Sequence, residues 1–565
     1  MEKINDIDLV DYGVIFLYLS LMVYAGYYFS RKIKNMDQFF SAGKQLSWWV
    51  SGLSVFMGTY SAYMFVGLAS AAYEHGFPVV VFYFFNGLGG AIGMLLVAHL
   101  WRRARLTSPT EFLRKRYREN VRQFLAWVGI PYYLFDDAIK IYAIGKIVAL
   151  ALDVPLVPSI LVCGTVMISY SMLGGLIAVA VTDVVQFIIL ALAVLIIIPF
   201  TLQEVGGWSG FVLNAPGHFM AWADEKFNWH WMIMAMLLSI VFWGGTWQNI
   251  QRFGAVSDES AARKTAILAA VGSFATIFLF VLPPMMARNI FSDIDPEYSF
   301  ITLFLKFLPS GMIGLVVCAL LAATISSIGA HFNLVSGIVA YDIYKEKINK
   351  NPSEKQLLVV GRIGTIIFGI LAVLLSLSVG ATGGAFEWMM TVFGLVVVPL
   401  TLPFLVGILY KKSPWWSPTF TMVIGVIASA IAKFGFDASW PVFTTVNLGV
   451  CLVTMFSASY IRPNSKADQQ EVEDLFRNLN TPIHDKSDQD ENVAAGPSNG
   501  RFIGLALLIV GVVFIVVYLL TYTQLRSYLS LVVSACMITL GILFLWFDKK
   551  KQETIDENSF RVKKA

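Results

Sequence analysis

The sequence predicts an all-α polytopic membrane protein, and three observations support this fold class. Hydrophobic residues make up 57% of the chain and charged residues only 14%, a balance that water-soluble domains do not have. Apolar stretches of about 20 residues recur from end to end, which is the length of a helix that crosses a bilayer. Basic residues gather between alternate stretches, as the positive-inside rule expects of a chain that crosses repeatedly.

The apolar stretches predict about fifteen transmembrane helices. Because the first stretch is followed by Arg31, Lys32 and Lys34 and lacks a small-residue cleavage site, we expect a retained helix and not a signal peptide. The spans are expected at about residues 11–28, 48–70, 76–101, 120–151, 155–173, 178–202, 230–253, 264–288, 301–340, 357–379, 386–410, 417–434, 438–461, 501–523 and 526–547.

Loop charge predicts the orientation of the chain. Loops after odd-numbered spans are basic, as in 102–122 and 345–355, whereas loops after even-numbered spans, such as 292–298, are neutral or acidic; the nearly uncharged loop after the fifth span is an exception. We therefore expect the N-terminus outside and the C-terminus in the cytoplasm of a plasma (inner) membrane. The acid-rich segment 463–500 falls on the cytoplasmic side, where we expect a flexible or peripheral loop.

Glycine and polar residues interrupt two of the spans at their centres. The interruptions are FMGTYSAY (56–63) and WGGTWQN (243–249), and their spans start five spans apart, an odd offset that gives them opposite orientations. Interrupted helices in two inverted halves indicate a transporter's binding site, because unwound backbone frees carbonyl and amide groups. The alternative is that these glycines only permit close helix packing.

The stretch 321–344 contains the feature around which we interpret the rest of the chain. Ala323, Ser326 and Ser327 lie three and four residues apart, so they share one face of a helix. Two hydroxyls deep in a membrane segment need partners, and a small hard cation is a suitable one because it prefers oxygen ligands. The alternative is that the serines bond back to carbonyls of their own helix or line a helix contact.

Charged residues inside the spans offer further candidates. Asp136 and Lys140 are spaced i, i+4 in FDDAIKIYAIGK, so we expect an ion pair within one helix. Asp183 lies in another span, where its carboxylate either contacts a cation or accepts hydrogen bonds from hydroxyls. The four cysteines also fall inside spans, with neither a disulfide framework nor a metal-binding spacing.

Several function classes find no support in the motifs. The chain contains no phosphate-binding loop, HExxH or GxSxG signature, so nothing indicates an ATP-driven pump or a hydrolase. A membrane-embedded enzyme would need a catalytic cluster, and a sensor would need a signalling domain after the last span; we expect neither. A channel would conduct without coupling to a solute. Nothing indicates nucleic-acid binding or an obligate protein partner.

The motifs together resemble those of the sodium/solute symporter family, which includes sodium/glucose, sodium/proline and sodium/sialic acid cotransporters. The matching pieces, in the family's order, are SVFMGTYSAYMFVGLASAAYEHG (54–76), TSPTEFLRKRY (107–117), YSMLGGLIAVAVTDVVQ (170–186), WGGTWQNIQR (243–252), AATISSIGAHFNLVSGIVAYDIY (322–344), GILYKK (407–412) and LNTPI (479–483).

The resemblance implies a LeuT-type fold with five plus five inverted core helices. It divides the chain into an N-terminal extra helix and cytoplasmic link (1–47), a first inverted repeat (48–202), an extracellular loop (203–229), a second inverted repeat (230–411), accessory helices (412–462), an acidic cytoplasmic loop (463–500), two C-terminal helices (501–548) and a cytoplasmic tail (549–565).

The resemblance also implies a sodium site, which coincides with the serine pair. Its ligands would be the backbone carbonyls of Met57, Tyr60 and Ala323 and the hydroxyls of Ser326 and Ser327. Five oxygens without cysteine or histidine suit Na+.

Some family members have a second sodium site, which needs hydroxyls where this chain has Gly329 and Ala330. Asp183, the acid of that site, is retained and stays a candidate for a second ion or a proton. We therefore expect one sodium per transport cycle.

Sugar-transporting relatives hold the sugar with amide, carboxylate and amine groups that this chain largely lacks. Matched positions predict a substrate site whose aromatic inner gate is Phe242, and a hexose bound in the family's manner would leave hydroxyls unpaired at about 1–3 kcal/mol each. The predicted substrate-binding residues are Met64, Tyr83, Asn86, Ser239, Phe242, Ser273 and Met390.

The function that the resemblance implies is sodium-coupled secondary active symport. The carrier would import a small organic solute by alternating access in a lipid bilayer, with Na+ as the coupling ion. We favour a sugar or a sugar-derived solute. The alternatives are a proton-coupled symporter of the same fold, which Asp183 would serve, and a carrier for an amino acid or a carboxylate.

Overall fold

The computed structural model is helical throughout the residues that it describes, which are 8–30, 46–58, 60–106, 109–171, 176–483 and 499–564. Among these, ten helices are long and apolar enough to cross a membrane, or eleven when one bent pair is counted as a single span, and three shorter apolar helices accompany them. The all-α membrane fold expected from the sequence is confirmed.

The described residues up to position 214 form nine α-helices. In order they are α1 (Leu9–Ser30), α2 (Trp48–Met57), α3 (Ala69–His75, preceded by the wider π-helical turn Met64–Leu68), α4 (Phe77–Arg103), α5 (Pro109–Tyr117), α6 (Glu119–Ala151), α7 (Leu156–Ser171), α8 (Leu176–Glu204) and α9 (Gly207–Asn214).

The second half begins with a bent helix and ends with a long helical hairpin. Its helices are α10 (Trp229–Gly245), α11 (Trp247–Gly254), α12 (Glu259–Thr276, continued by Ile277–Val281), α13 (Leu282–Ile290), α14 (Ser299–Phe307), α15 (Met312–Gly337, continued by Ile338–Ile348), α16 (Glu354–Ser376), α17 (Gly384–Val392, continued by Phe393–Val397), α18 (Val398–Leu409), α19 (Ser417–Ala430, continued by Ile431–Gly435), α20 (Trp440–Ile461), α21 (Lys466–Asn480), α22 (Asn499–Thr521) and α23 (Tyr528–Lys564).

Helix α15 occupies the centre of the molecule. Its most apolar stretch is completely buried, and α1, α6, α7, α8 and α16 pack around it. The single span expected at 301–340 is in fact two helices, α14 and α15. Pro309 lacks an N–H and Gly311 adopts a φ of 82°, so the chain turns between them. Asp11 on α1 accepts hydrogen bonds of 2.7 Å from the amides of Gly311 and Gly314 and thereby caps α15.

Both predicted helix interruptions are present. Helix α2 ends at Met57, and helical structure resumes at Ala62. Helices α10 and α11 meet at Thr246 with a bend of 46°. Each break frees backbone groups in the membrane interior, which is tolerated where they line a cavity or find protein partners.

Helices α4 and α10 pack backbone against backbone beside the second break. A Cβ atom added to Gly89 would lie 2.2 Å from the carbonyl oxygen of Met236, and one added to Gly93 would lie 2.3 Å from that of Ile240. Only glycine permits such an approach, so these two residues set how closely the two helices pack.

The acidic segment 463–500, expected to be a flexible or peripheral loop, contains a helix in the part that the structure describes. Residues Lys466–Asn480 form α21, which Ser465 caps through a reciprocal hydrogen-bond pair with Asp468. Val472 and Leu479 on α21 are buried. This helix has a local cause, because a capping box followed by an apolar stripe is enough to start and dock a helix. Residues 484–498 lie outside the described part of the chain.

Helix α21 contacts the region of α5 and the start of α6. The side of the molecule that carries this region, the basic segment 102–122, is called the α5 side. Arg118 donates two hydrogen bonds of 2.6 Å to Asp468. These bonds lower the pKa of Asp468 below its ordinary value of 3.8. Because the pKa of Asp468 is lower in the folded than in the unfolded protein, these bonds stabilise the fold at neutral pH. That stabilisation is lost only as the pH falls below the ordinary value.

Replacing Asp468 with Asn should loosen α21 without unfolding the protein. Because Arg118 is 42% exposed, we expect less than about 1 kcal/mol of lost stability. Trypsin cleavage after Lys466 and Arg477 should become faster at neutral pH. The matched control is Asp474→Asn, which removes an exposed pair with Arg477 inside the same helix. Equal cleavage rates in the two variants would contradict a docking role for Asp468.

Candidate functional site

A cavity of about 180 Å³ lies between the two broken helices. Both breaks reach it, with Gly58 and Tyr60 from the first and Gly245 and Thr246 from the second. All seven predicted substrate-binding positions line this one cavity, namely Met64, Tyr83, Asn86, Ser239, Phe242, Ser273 and Met390. The structure therefore brings together residues that lie on five separate segments of the sequence.

The cavity wall is largely aromatic and carries a few hydroxyl and amide groups. Among the described residues, the buried hydroxyls of Tyr63 and Ser239 have no hydrogen-bond partner. Ser273 instead donates a 3.0 Å bond to the carbonyl of Ala269 in its own helix. Unpartnered buried hydroxyls cost free energy unless a solute or water pairs with them. Tyr63 was not predicted, although it lies within the first interruption.

The first break contacts α15 directly at the predicted sodium-binding face. The amide of Ala62 donates a 3.0 Å hydrogen bond to the Thr324 hydroxyl. At the break itself, the carbonyl of Met57 accepts a 3.0 Å bond from the amide of Tyr60. Met57 and Tyr60 thus belong to the first break, which the bond between Ala62 and Thr324 joins to α15. Thr324 was not predicted.

The two serines of α15 donate their hydroxyl hydrogens to different acceptors. Ser326 donates a 2.6 Å bond to Asp183, and Ser327 donates a 3.1 Å bond to the carbonyl of Thr324. A hydroxyl that donates its hydrogen keeps its lone pairs, so both oxygens can still coordinate a cation. Ala323 is buried one turn earlier on the same helix.

Asp183 is held in a buried network between α2, α8, α11 and α15. Its two carboxylate oxygens accept 2.6 Å bonds from Ser326 and from Ser54. Arg252 donates a 2.8 Å bond to the Ser54 hydroxyl and places its guanidinium 3.7 Å from Asp183. All four side chains are at most 7% exposed. Asp183 therefore accepts hydrogen bonds from two hydroxyls.

Arg252 lies at the end of the expected span 230–253, and its place in this network was not predicted. The residue lies in the last turn of α11 and is 2% exposed. The positive-inside rule counts charge but does not tell which basic side chain turns inward. The signal that could have identified Arg252 is its place one helical turn from polar residues of the second interruption.

A second charged cluster lies where α6 faces α15. The expected ion pair between Asp136 and Lys140 is present at 2.7 Å. His331 on α15 places Nδ1 2.7 Å from an oxygen of Asp137, and its Nε2 lies 3.2 Å from the amide nitrogen of Gln248. Asp136, Lys140, His331 and Gln248 line the same cavity as the substrate positions. The contact of His331 with Asp137 was not predicted.

An ion-pair network closes the side of the cavity opposite to α5. Glu297 accepts a 2.6 Å bond from Lys146, a 2.9 Å bond from Tyr142 and a 2.6 Å bond from the amide of Ala385. Lys146 also pairs with Asp295. The network joins α6, the segment before α14 and the start of α17, so these elements are held together on this side.

Aromatic rings pack beneath that network. Phe227 is fully buried against Trp231, and Trp231 stacks on Trp440 with ring centroids 4.6 Å apart. In the other direction the cavity extends to Leu113 on α5. The Glu297 network and these rings thus hold the helices together at one end of the cavity, and the cavity lining includes a residue of α5 at the other.

Comparison with known proteins gives consistent matches. A family model described as "Sodium:solute symporter family" matches residues 39–415. The chain is 29% identical to the sodium/glucose cotransporter of Vibrio parahaemolyticus, over 75% of this chain and 84% of that protein. It is 26% identical to a sodium/sialic acid symporter of Aliivibrio fischeri, over 81% and 95% of the two chains.

A solved structure supports the same fold. It is that of a Na+-coupled sialic acid symporter in a substrate-bound outward-open state, with a TM-score of 0.68 and 23% identity, covering 81% of this chain and 99% of that one. The expected LeuT-type architecture is therefore confirmed.

Proposed function

Since this chain belongs to the sodium:solute symporter family, we propose that its central cavity carries one small organic solute together with one sodium ion per cycle. Membership makes the protein a membrane transporter and not an enzyme, with sodium as its coupling ion. The site residues, the stoichiometry and the orientation in the membrane are the proposal.

The proposed sodium ligands are the carbonyls of Met57, Tyr60 and Ala323 and the hydroxyls of Ser326 and Ser327. The observation that carries this assignment is the direction of the two hydroxyl hydrogens, which go to Asp183 and to a helix carbonyl. The serine oxygens are thereby oriented with lone pairs free, as a Na+ ligand requires.

We assign Asp183 the role of orienting Ser326, not that of holding a second ion. Both of its oxygens already accept short bonds, and Arg252 supplies a positive charge beside them. This arrangement supports a coupling ratio of one sodium. It also argues against a proton-coupled symporter in which Asp183 binds the transported proton.

The proposed solute is a sugar or a sugar-derived compound. The Vibrio and Aliivibrio relatives are named for glucose and sialic acid, and a bovine relative is named for myo-inositol. The cavity supports such a solute with the free hydroxyls of Tyr63 and Ser239 and with the amide of Asn86. Its aromatic walls suit the apolar faces of a ring.

Alternating access follows from the placement of the closed side. With the N-terminus outside, the α5 side is cytoplasmic and the Glu297 network is the outer closure. Sodium would join the first broken helix to α15 and favour the outward-open state. Inward opening would separate Met57 and Tyr60 from Ser326 and Ser327 and release the ion.

The test of this function is thermal stability of the purified protein in detergent. Sodium is titrated against potassium, and solutes are then added at fixed sodium: neutral hexoses, acidic amino sugars, cyclic polyols and amino acids. We expect sodium to raise the unfolding temperature and one solute class to raise it further. A pH effect with no sodium effect would reject sodium coupling.

Weakening the outer closure should expose the cavity from outside. In the variant Glu297→Gln, Asp295 is the remaining carboxylate partner of Lys146, and its side chain is 43% exposed. The closure is then weaker, so the population of the outward-open state should rise. A cysteine introduced at Met389, in the cavity wall, should react about two- to tenfold faster with an impermeant thiol reagent. The matched control is Glu204→Gln, which breaks the Lys306 pair away from the closure; equal acceleration there would contradict the gate.

A further inference from the structure

The cluster of Asp136, Asp137, Lys140 and His331 has no role in the proposed sodium and solute sites. We call it the α6–α15 cluster. All four side chains are at most 7% exposed, and three of them line the transport cavity. Its position therefore calls for a function of its own, since charge this deep in a membrane protein is costly.

The charges of the cluster do not balance. The cluster contains two carboxylates and one ammonium group. The ammonium group of Lys140 lies 2.7 Å from Asp136 and 4.0 Å from Asp137. With a neutral imidazole the cluster carries one excess negative charge. Moreover, one oxygen of the fully buried Asp137 has no hydrogen-bond partner among the described residues. One added positive charge would balance the cluster and compensate the buried carboxylate of Asp137.

We propose that the α6–α15 cluster is a proton-binding site on the wall of the transport cavity, in which the imidazole of His331 takes up one proton at Nε2 while its Nδ1 stays paired with Asp137. Ligand atoms of Asp136, Asp137 and His331 lie within 4.8 Å of one another, but Lys140 would repel a metal ion there. A proton needs no coordination sphere, and the 2.7 Å contact between Nδ1 and Asp137 places a negative charge beside the imidazolium that forms.

The other groups that face this pair leave the charge count unchanged. From α6 they are the phenols of Tyr132 and Tyr133, neutral at physiological pH, and the ring of Tyr133 packs against His331 at 4.2 Å. From α11 the facing group is the uncharged Gln248. Arg252 on α11 points to the backbone carbonyl of Gln248 and to Ser54, away from the imidazole.

Gln248 connects the cluster to the proposed sodium site. Its amide nitrogen lies 3.2 Å from Nε2 of His331 and 3.5 Å from the carbonyl of Ser327. An amide that donates to Nε2 requires a neutral imidazole. When His331 gains the proton, Nε2 becomes a donor, so Gln248 must present its oxygen and can no longer donate to Ser327.

Proton and sodium binding should therefore oppose one another. The two positive charges would lie near opposite contacts of one Gln248 side chain in a medium of low dielectric constant, so each should disfavour the other. Sodium should bind more weakly as the pH falls, by up to about tenfold per pH unit for one linked proton. Sodium binding should in turn release protons.

The test is a sodium titration of the full-length protein in detergent at several pH values between about 5 and 8, a range that includes the ordinary pKa of a free histidine. Binding is read from thermal stability, and proton release is read with an indicator dye in weak buffer. The wild type should show both the pH dependence and the release. Asp137→Asn removes the excess charge, so it should keep sodium binding but lose both effects.

Lys140→Gln provides the opposing variant. It raises the excess negative charge from one to two, so the pH dependence should move to higher pH instead of vanishing. A merely structural role for these residues would not produce opposite shifts. If the two variants behave alike, or if Asp137→Asn retains the wild-type pH dependence, the proposal is overturned.

The link to sodium rests on the proposed function, but the proton site does not. If sodium stabilises the protein at every pH without releasing protons, the proton site is rejected and the sodium site stands. If sodium has no effect, the stability profiles of the wild type and Asp137→Asn are compared across the same pH range in potassium. Parallel profiles reject the proton site, and a pH dependence confined to the wild type supports it.

Discussion

Sodium dependence should largely disappear when Ser327 is replaced with alanine. The substitution removes one proposed ligand oxygen, while its hydrogen bond to the Thr324 carbonyl is a local contact inside α15. We expect the sodium concentration for half-maximal uptake to rise about 10- to 100-fold, in the range found when metal sites lose supporting groups. Uptake into cells or proteoliposomes at varied sodium measures this directly.

The control is Ser336→Ala, a serine of the same helix two turns beyond the proposed site. That variant should show wild-type sodium dependence. Protein abundance in the membrane must be measured for both, since a folding defect would also lower uptake. Unchanged sodium-driven uptake in Ser327→Ala would show that the site lies elsewhere.

Replacing Arg252 with methionine should cause the largest loss of stability. The substitution keeps the volume but leaves Asp183 buried without its neighbouring positive charge, although Ser54 and Ser326 still donate to it. Removing one member of a buried charge pair costs about 3–5 kcal/mol. We expect a large drop in the unfolding temperature in detergent and little folded protein in the membrane.

A double variant separates electrostatics from packing. Adding Asp183→Asn removes the uncompensated charge, so the double variant should recover about half or more of the stability lost in Arg252→Met. The exposed Arg263 on α12 serves as the control, and Arg263→Met should have almost no effect. If the double variant is less stable than Arg252→Met alone, the pairing of these two side chains is not what stabilises this region.

Much of the fold could be predicted because it depends on local properties of the chain. The length of apolar stretches indicated membrane helices, and glycines at their centres indicated both breaks. Even the ion pair of Asp136 and Lys140 follows from a spacing of four residues. Errors arose where local signals compete. Pro309 and Gly311 interrupt the helix inside one apolar run, and a capping box starts α21 inside a polar segment.

Part of the candidate site could be predicted in the same way. A spacing of three and four residues places Ala323, Ser326 and Ser327 on one face, and the family resemblance supplied the cavity residues that the structure brings together. Their partners were not predicted. Tyr63 and Thr324 look like ordinary members of their helices until the cavity and the first break are assembled around them.

By itself, the sequence determined the class of protein, the positions of the breaks and the face of α15 that carries the serines. The tertiary structure alone decided which buried groups meet. Asp183 accepts bonds from residues 129 and 143 positions away, and Asp137 contacts a histidine 194 positions away. Such contacts depend on how each helix is rotated and packed against its neighbours. No local spacing encodes that rotation, because it results from the close packing of all the helices at once.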